Sequence, residues 1–273
     1  MSGSGAERIA AAFETAAADG RPAVVPYMMG GFPDPASSLA IARAYVEGGA
    51  DLIELGVPFS DPLADGPVIH EAATRALAEG VGLEDVLEIC TAVSGDVPVI
   101  LMAYTNMILS GSGPVDFAAR AREAGAVGVI VPDLPLGTDE SIRADLETAG
   151  LSVVPLVAPT TEPERREGIC GVATGFVYVV SDVGTTGERS EVPAHLSELV
   201  DDIASRSDVP VAVGFGIGSP EQAAEVGRIA DGVIIGSRLV RLVSEAGEGE
   251  VAADSVRDFL SRTREAVAGA RVG

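Results

Sequence analysis

The 273-residue sequence contains no lysine, and all 18 of its basic residues are therefore arginines. A lysine amine is required by Schiff-base aldolases and by enzymes that attach pyridoxal phosphate to their own chain. The Walker-type phosphate loop requires lysine as well. The absence of this one residue type excludes all three mechanisms for this chain.

Positive charge as a whole is scarce, because 41 acidic residues outnumber the basic ones and give a net charge of −23. Nucleic-acid binding depends on a basic patch, and anionic membrane surfaces attract basic segments. The charge balance thus argues against both partners and is typical of a well-solvated surface.

Cysteine and histidine are also rare. Cys90 and Cys170 lie among apolar, helix-like residues outside any CxxC pair, which indicates core packing. His70 and His195 lie on helix-like segments without the spacing of metal ligands, so we expect neither a catalytic histidine nor a metal site. The sequence has no apolar run of 18 residues and no apolar signal core, and we expect a cytoplasmic protein.

Aromatic residues make up 4% of a chain that is 47% hydrophobic, so the core must be aliphatic, as in parallel strands covered on both faces. Val- and Ile-rich runs alternate with longer segments of helical period. The predicted strands lie near 23–29, 51–56, 97–103, 127–131, 152–156, 175–180, 210–214 and 231–236. The predicted helices lie near 37–48, 68–79, 114–124, 139–149, 162–171, 193–206, 219–229 and 238–269, the last interrupted near 247–249.

Eight strands alternating with helices predict one α/β domain over residues 1–273, a (β/α)₈ TIM barrel. An extra helix near 6–19 precedes the first strand, and another near 83–94 is inserted before the third strand. A doubly wound open sheet is the alternative. Such sheets usually have fewer repeats and a GxGxxG fingerprint, whereas residues 28–33 here read MMGGFP.

The second predicted strand places a carboxylate in the barrel. If Ile53 and Leu55 face the helices, then Glu54 points inward near the strand's carboxyl end, where barrel enzymes hold their active groups. Burial would raise its pKa and suit proton transfer near neutral pH. A structural glutamate bonded to backbone groups fits the position equally well. The next loop is stiffened by three prolines and presents Asp65, while Asp61 fits a turn or capping role.

Two glycine-containing loops follow the last two predicted strands, at Gly214–Gly216 and at Gly236. In barrels of this kind these loops commonly bind phosphate through backbone N–H groups and a helix N-terminus. The loop 181–189 after the sixth strand is polar and glycine-flanked, and it fits either a mobile lid or a plain surface loop.

The segment 54–67, ELGVPFSDPLADGP, closely resembles the signature of tryptophan synthase alpha subunits. The similarity continues in order at residues 102–106, 131–135, 158–161, 184–187, 213–217 and 236–237. It implies a lyase that cleaves indole-3-glycerol phosphate into indole and glyceraldehyde 3-phosphate. It also implies a beta-subunit partner, in an alpha₂–beta₂ tetramer, that alone carries pyridoxal phosphate. No cofactor is expected in this chain.

The resemblance also implies residue roles. Glu54 corresponds to the general acid and base, and Asp65 to the carboxylate that binds the indole N–H. The implied substrate-pocket residues are Tyr104, Tyr178 and Phe215, with Thr186 as the lid residue that closes onto Asp65. The implied phosphate-binding residues are Gly187, Gly216, Gly236 and Ser237.

The chain departs from the family pattern at four places, none of which is Glu54 or Asp65. His70 replaces a common Gln, Thr185 a common Val and Met107 a frequent Pro, and Met29-Gly30 replaces a Thr-Ala pair. Two other functions remain open from the sequence: a stand-alone lyase that releases free indole, and a non-catalytic barrel that binds a sugar phosphate.

Overall fold

The structure is a computed structural model that describes residues 3–180, 194–214, 216–247 and 249–270. The described residues form nine parallel strands: β1 (Ala23–Met29), β2 (Ile53–Gly56), β3 (Val99–Met102), β4 (Ala126–Ile130), β5 (Ser152–Val154), β6 (Leu156–Val157), β7 (Val177–Val180), β8 (Val211–Gly214) and β9 (Gly232–Ile235). The same residues form twelve helices: α1 (Gly5–Ala18), α2 (Pro35–Glu47), α3 (Pro67–Ala78), α4 (Leu83–Val93), α5 (Thr105–Leu109), α6 (Pro114–Glu123), α7 (Glu140–Thr148), α8 (Pro163–Gly171), α9 (Ala194–Ala204), α10 (Pro220–Gly227), α11 (Ser237–Ala246) and α12 (Glu250–Val267).

The strands form a barrel in which the fifth predicted strand is split in two. The strand order is β5-β4-β3-β2-β1-β9-β8-β7-β6, and only Pro155 separates β5 from β6 along the chain. Proline has no N–H to donate and interrupts the strand, but its carbonyl accepts a 2.9 Å hydrogen bond from the Tyr178 N–H. The two halves pair with β4 and β7. The predicted (β/α)₈ architecture is therefore confirmed.

The N-terminal helix α1 packs across the amino ends of the strands. It begins with a capping box in which the Ser4 hydroxyl accepts from the Glu7 N–H and the Glu7 carboxylate accepts from the Ser4 N–H. Its buried side chains Ile9, Phe13 and Ala16 join an inner cluster of barrel residues. The other members of the inner cluster are Ala23, Val25, Leu52, Ile100, Val127, Ile130, Val154, Phe176, Ala212 and Ile234. The amino end of the barrel is thus filled by apolar side chains.

The side chains of β2 alternate as predicted. Ile53 and Leu55 are fully buried in the larger cluster that packs the strands against the helices, whereas Leu52 belongs to the inner cluster. Since successive strand residues point to opposite faces, Glu54 shares the interior side of Leu52. This places its carboxyl group inside the barrel.

The remaining helices agree with the prediction apart from α5, a short helix after β3 that the sequence pattern did not reveal. The inserted helix α4 precedes β3, and the last helical stretch is interrupted between α11 and α12. Gly247 and Gly249 at this interruption have φ values of 89° and 69°, which glycine adopts without strain. No helix in the described part of the chain combines the length and apolar character needed to span a bilayer.

Candidate active site

Glu54 lies near the carboxyl end of β2 and is only 3% exposed. One carboxyl oxygen, Oε2, is buried and has no hydrogen-bond partner among the described residues. Burial penalises the charged form, and the nearby Asp65 adds like charge, so together they raise the pKa of Glu54 to about 8. The carboxyl group is therefore protonated at neutral pH.

Asp65 lies in the loop between β2 and α3 and is half-buried. Burial raises the pKa of Asp65 to about 6, although hydrogen bonding by Tyr104 and the proximity of His70 act in the opposite direction. Its carboxyl group is thus mostly ionised at neutral pH. The site holds two carboxyl groups that interact electrostatically and differ in protonation state, an arrangement suited to acid–base chemistry.

Tyr104 connects the loops that follow β2 and β3. Its hydroxyl accepts a 3.2 Å hydrogen bond from the Ala64 N–H, next to Asp65, and its ring stacks on Phe59 with a centroid distance of 5.1 Å. The residue also occupies the N-cap position of α5, where its backbone carbonyl accepts a 2.9 Å hydrogen bond from the Met107 N–H. The predicted substrate-pocket residue Tyr104 therefore contacts the loop that carries Asp65 and helps to hold it.

The loop after β3 is also tied to the loop after β4. The Asp133 carboxylate accepts from both the N–H and the hydroxyl of Thr105, at 2.8 and 2.9 Å. Three successive loops at the carboxyl end are thereby linked, which restricts the positions that Asp65 can take.

Two tyrosines on different strands of the barrel interact electrostatically with both carboxyl groups. The predicted residue Tyr178 lies on β7, and Tyr27, which was not among the predicted site residues, lies on β1. Burial is the main cause that raises the pKa of each phenol, with the Glu54 and Asp65 carboxylates adding to it. Both tyrosines therefore stay protonated. The alternation that placed Glu54 inward on β2 would also have placed Tyr27 inward on β1, after Ala23 and Val25.

Three of the predicted phosphate-binding residues, Gly216, Gly236 and Ser237, lie at the carboxyl end of the barrel. Gly216 follows β8, Gly236 follows β9, and these two strands are paired. Ser237 is the first residue of α11 and is 6% exposed. A Cβ at Gly236 would meet its nearest neighbour, the Tyr27 Cβ, at 3.7 Å, an ordinary contact. Packing therefore does not require glycine at position 236, but the lack of a side chain leaves the backbone N–H groups accessible to an anion.

Three predicted site residues, Thr186, Gly187 and Phe215, lie outside the described residues, as does the predicted lid at 181–189. His70 on α3 and His195 on α9 are exposed. Cys90 and Cys170 are buried free thiols, as the sequence predicts. No group of three or more His, Cys, Asp or Glu side chains in the described residues is arranged to hold a metal ion.

Most of the chain is similar to proteins of one family. A family model described as "Tryptophan synthase alpha chain" matches residues 13–268. Tryptophan synthase alpha chains from Carboxydothermus hydrogenoformans and Synechococcus sp. are each 44% identical, over 93% and 97% of this chain and 96% and 99% of the relatives. A chain in a solved structure of Mycobacterium tuberculosis tryptophan synthase superposes with a TM-score of 0.88 at 37% identity, covering 97% of this chain and 99% of that chain.

Proposed function

This chain belongs to the tryptophan synthase alpha chain family, and from that premise we propose that Glu54 and Asp65 perform its chemistry. The chain is a lyase of L-tryptophan biosynthesis that cleaves indole-3-glycerol phosphate into indole and glyceraldehyde 3-phosphate. The observation that supports the residue assignment is the pair of carboxyl groups with pKa values of about 8 and about 6. One carboxyl group is an acid and the other an anion at neutral pH.

The proposed reaction begins with the acid. Glu54 donates its proton to C3 of the indole ring, and the ring nitrogen takes up the positive charge. The ionised Asp65 accepts a hydrogen bond from the ring N–H and stabilises that charge, since a charge-assisted hydrogen bond is about twice as strong as a neutral one.

Cleavage of the carbon–carbon bond then restores the protonated Glu54 and the neutral ring nitrogen. The side-chain hydroxyl beside the ring gives its proton to the Glu54 carboxylate, and its oxygen becomes the aldehyde oxygen. The carbon–carbon bond breaks, and its electron pair returns to the ring and neutralises the nitrogen. Glu54 ends protonated, as it began, so one carboxyl group serves as both acid and base.

For the substrate phosphate we propose the backbone at Gly216, Gly236 and Ser237, together with Gly187. The N-terminus of α11 presents backbone N–H groups and a favourable dipole at that edge. Tyr104, Tyr178 and Phe215 are proposed to line the rest of the pocket, and Thr186 to close over Asp65.

We further propose that a beta subunit docks on the carboxyl end of the barrel and receives the indole, in an alpha₂–beta₂ assembly in the cytoplasm. Leu63, in the Asp65 loop, is 89% exposed, and Leu109, at the end of α5, is 50% exposed. The hydrogen bond between Ala64 and Tyr104 brings their two loops together. A partner that docks there would bury the apolar surface of these two leucines. Pyridoxal phosphate would reside in that partner, because this chain has no lysine to bind it.

The test is release of indole from indole-3-glycerol phosphate, measured with and without the cognate beta subunit. We expect turnover by this chain alone and a changed rate with the partner. Glycerol phosphate binding without turnover would identify a non-catalytic barrel. Turnover that the beta subunit leaves unchanged would identify a stand-alone lyase.

A further inference from the structure

Two buried polar atoms in the barrel have no hydrogen-bond partner among the described residues. They are the Tyr27 hydroxyl and Glu54 Oε2, on side chains that are each 3% exposed. Buried polar groups in native proteins are almost always paired, and each exception calls for an explanation, of which a catalytic role is one. Both atoms belong to the same site.

The strand register places these side chains next to each other. Tyr27 on β1 is the direct partner of Glu54 on β2, and neighbouring strands lie about 4.8 Å apart. Because both residues follow the inward alternation of their strands, both side chains enter the barrel. The two unpartnered atoms are therefore contributed by cross-strand neighbours.

The Tyr27 hydroxyl lies closer to the barrel opening than the backbone of Glu54. A Cβ at Gly56 would overlap the Tyr27 hydroxyl, so the ring extends over a residue two positions further toward the carboxyl end of β2. Glycine at position 56 leaves the space that the phenol occupies. The hydroxyl thus lies on the side of Glu54 from which a substrate would enter.

The phenol can act only as a hydrogen-bond donor or acceptor. Burial, together with the Asp65 and Glu54 carboxylates, raises the pKa of Tyr27 well above its ordinary value. It does not exchange its proton near neutral pH, so the acid–base work remains with Glu54.

We propose that Tyr27 is a further substrate-contacting residue, whose hydroxyl donates a hydrogen bond to the oxygen of the substrate hydroxyl beside the indole ring. This inference rests on the proposed function. In the cleavage step that hydroxyl passes its proton to the Glu54 carboxylate, and its oxygen becomes the aldehyde oxygen. The substrate oxygen would lie between the two unpartnered atoms, accepting from one and donating to the other. The Tyr27 donor stabilises the negative charge that develops as the proton leaves.

The test is Tyr27→Phe, which removes the hydroxyl and keeps the ring. We expect kcat/KM for indole-3-glycerol phosphate to fall by about 10- to 100-fold, less than the about 10²–10³-fold typical of an oxyanion donor, because the oxygen carries only partial charge. The inhibition constant of indole-3-propanol phosphate, an analogue without side-chain hydroxyls, should not change. The variant lacks the enzyme hydroxyl and the analogue lacks the substrate hydroxyl, so comparing the two measurements isolates the interaction between these hydroxyls.

Tyr45→Phe is the matched control. Tyr45 is also fully buried, and its hydroxyl donates to the backbone carbonyl of Tyr27 at 3.0 Å, outside the pocket. Its loss should lower the unfolding temperature and leave kcat/KM unchanged.

Two results would overturn the inference: wild-type kcat/KM in Tyr27→Phe, or an equal loss of affinity for the analogue, which would indicate a disturbed pocket. Glu54→Gln separates this failure from failure of the proposed function. If Glu54→Gln is inactive while Tyr27→Phe is fully active, only the inference about Tyr27 is wrong. If Glu54→Gln retains turnover, the proposed mechanism is wrong as well.

Discussion

The two ends of the barrel are built from the same strands but filled with different side chains. At the amino end, the inward residues Ala23, Val25 and Leu52 are apolar, and Phe13 of α1 covers them. At the carboxyl end, Tyr27 and Glu54 bury polar atoms that lack partners among the described residues. Apolar burial stabilises the fold, whereas unpaired buried polar groups destabilise it by about 1–3 kcal/mol each. Stability and chemistry are thus assigned to opposite ends of one barrel.

The carboxyl end gives the largest expected effect. Glu54→Gln keeps the size of the side chain but removes its transferable proton, so kcat should fall by about 10²–10⁴-fold. The unfolding temperature should not fall, because a neutral amide replaces a carboxyl group that burial already holds protonated. Indole release and thermal unfolding of the same preparation measure both, with exposed Glu79→Gln as the control. A variant with near-normal kcat would remove Glu54 from the mechanism.

The amino end should respond in the opposite way. Phe13→Ala deletes a ring that is 4% exposed in the inner cluster, so the free energy of unfolding should fall by about 3–5 kcal/mol. The kcat of the folded protein should stay close to wild type. Urea unfolding measures the free energy of unfolding, and activity assays at urea concentrations well below the unfolding transition measure kcat. A large loss of kcat with little loss of stability would show that the two ends are coupled.

The phosphate site offers a test of binding without chemistry. Gly216 has a φ of 61°, which a β-branched residue adopts only with strain, and Gly216→Val also blocks backbone approach to the anion. Loss of one charge-assisted hydrogen bond predicts a rise of about 10- to 100-fold in KM, with kcat less affected. Competition by glycerol 3-phosphate should weaken in parallel. Gly95→Ala, at an exposed glycine with nothing within 4 Å of the added methyl group, is the control. Unchanged competition would place the phosphate elsewhere.

The pH dependence should show the two protonation states at the carboxyl end. The reaction needs Asp65 ionised and Glu54 protonated, so kcat/KM should fall below about pH 6 and above about pH 8. Since the two carboxyl groups interact, each limb of the pH profile reports an apparent pKa of the pair and not of one residue. The residual activity of Asp65→Asn should lose the acid limb and keep the alkaline one. If instead the alkaline limb disappeared, the two roles would have to be exchanged.

Much of the fold and of the site could be predicted from the sequence, because the sequence patterns that indicate them are local. The alternation around Ile53, Glu54 and Leu55 placed one carboxyl group inside the barrel, and the strand and helix periods led to the barrel itself. The long segment 54–67 led to the family, which was then confirmed by the match over residues 13–268. Each of these signals is carried by neighbouring residues, so no knowledge of distant contacts was needed.

Other features were decided by tertiary structure. The sequence predicted α1 as a helix but not its position beneath the strands, and it gave no sign of α5. Pro155 interrupts a barrel strand that nevertheless pairs on both sides. Tyr27 had an inward position that could have been noticed, but its partnership with Glu54 depends on the register of β1 against β2. Register and burial arise from residues far apart in the chain, and they determine which carboxyl group holds its proton.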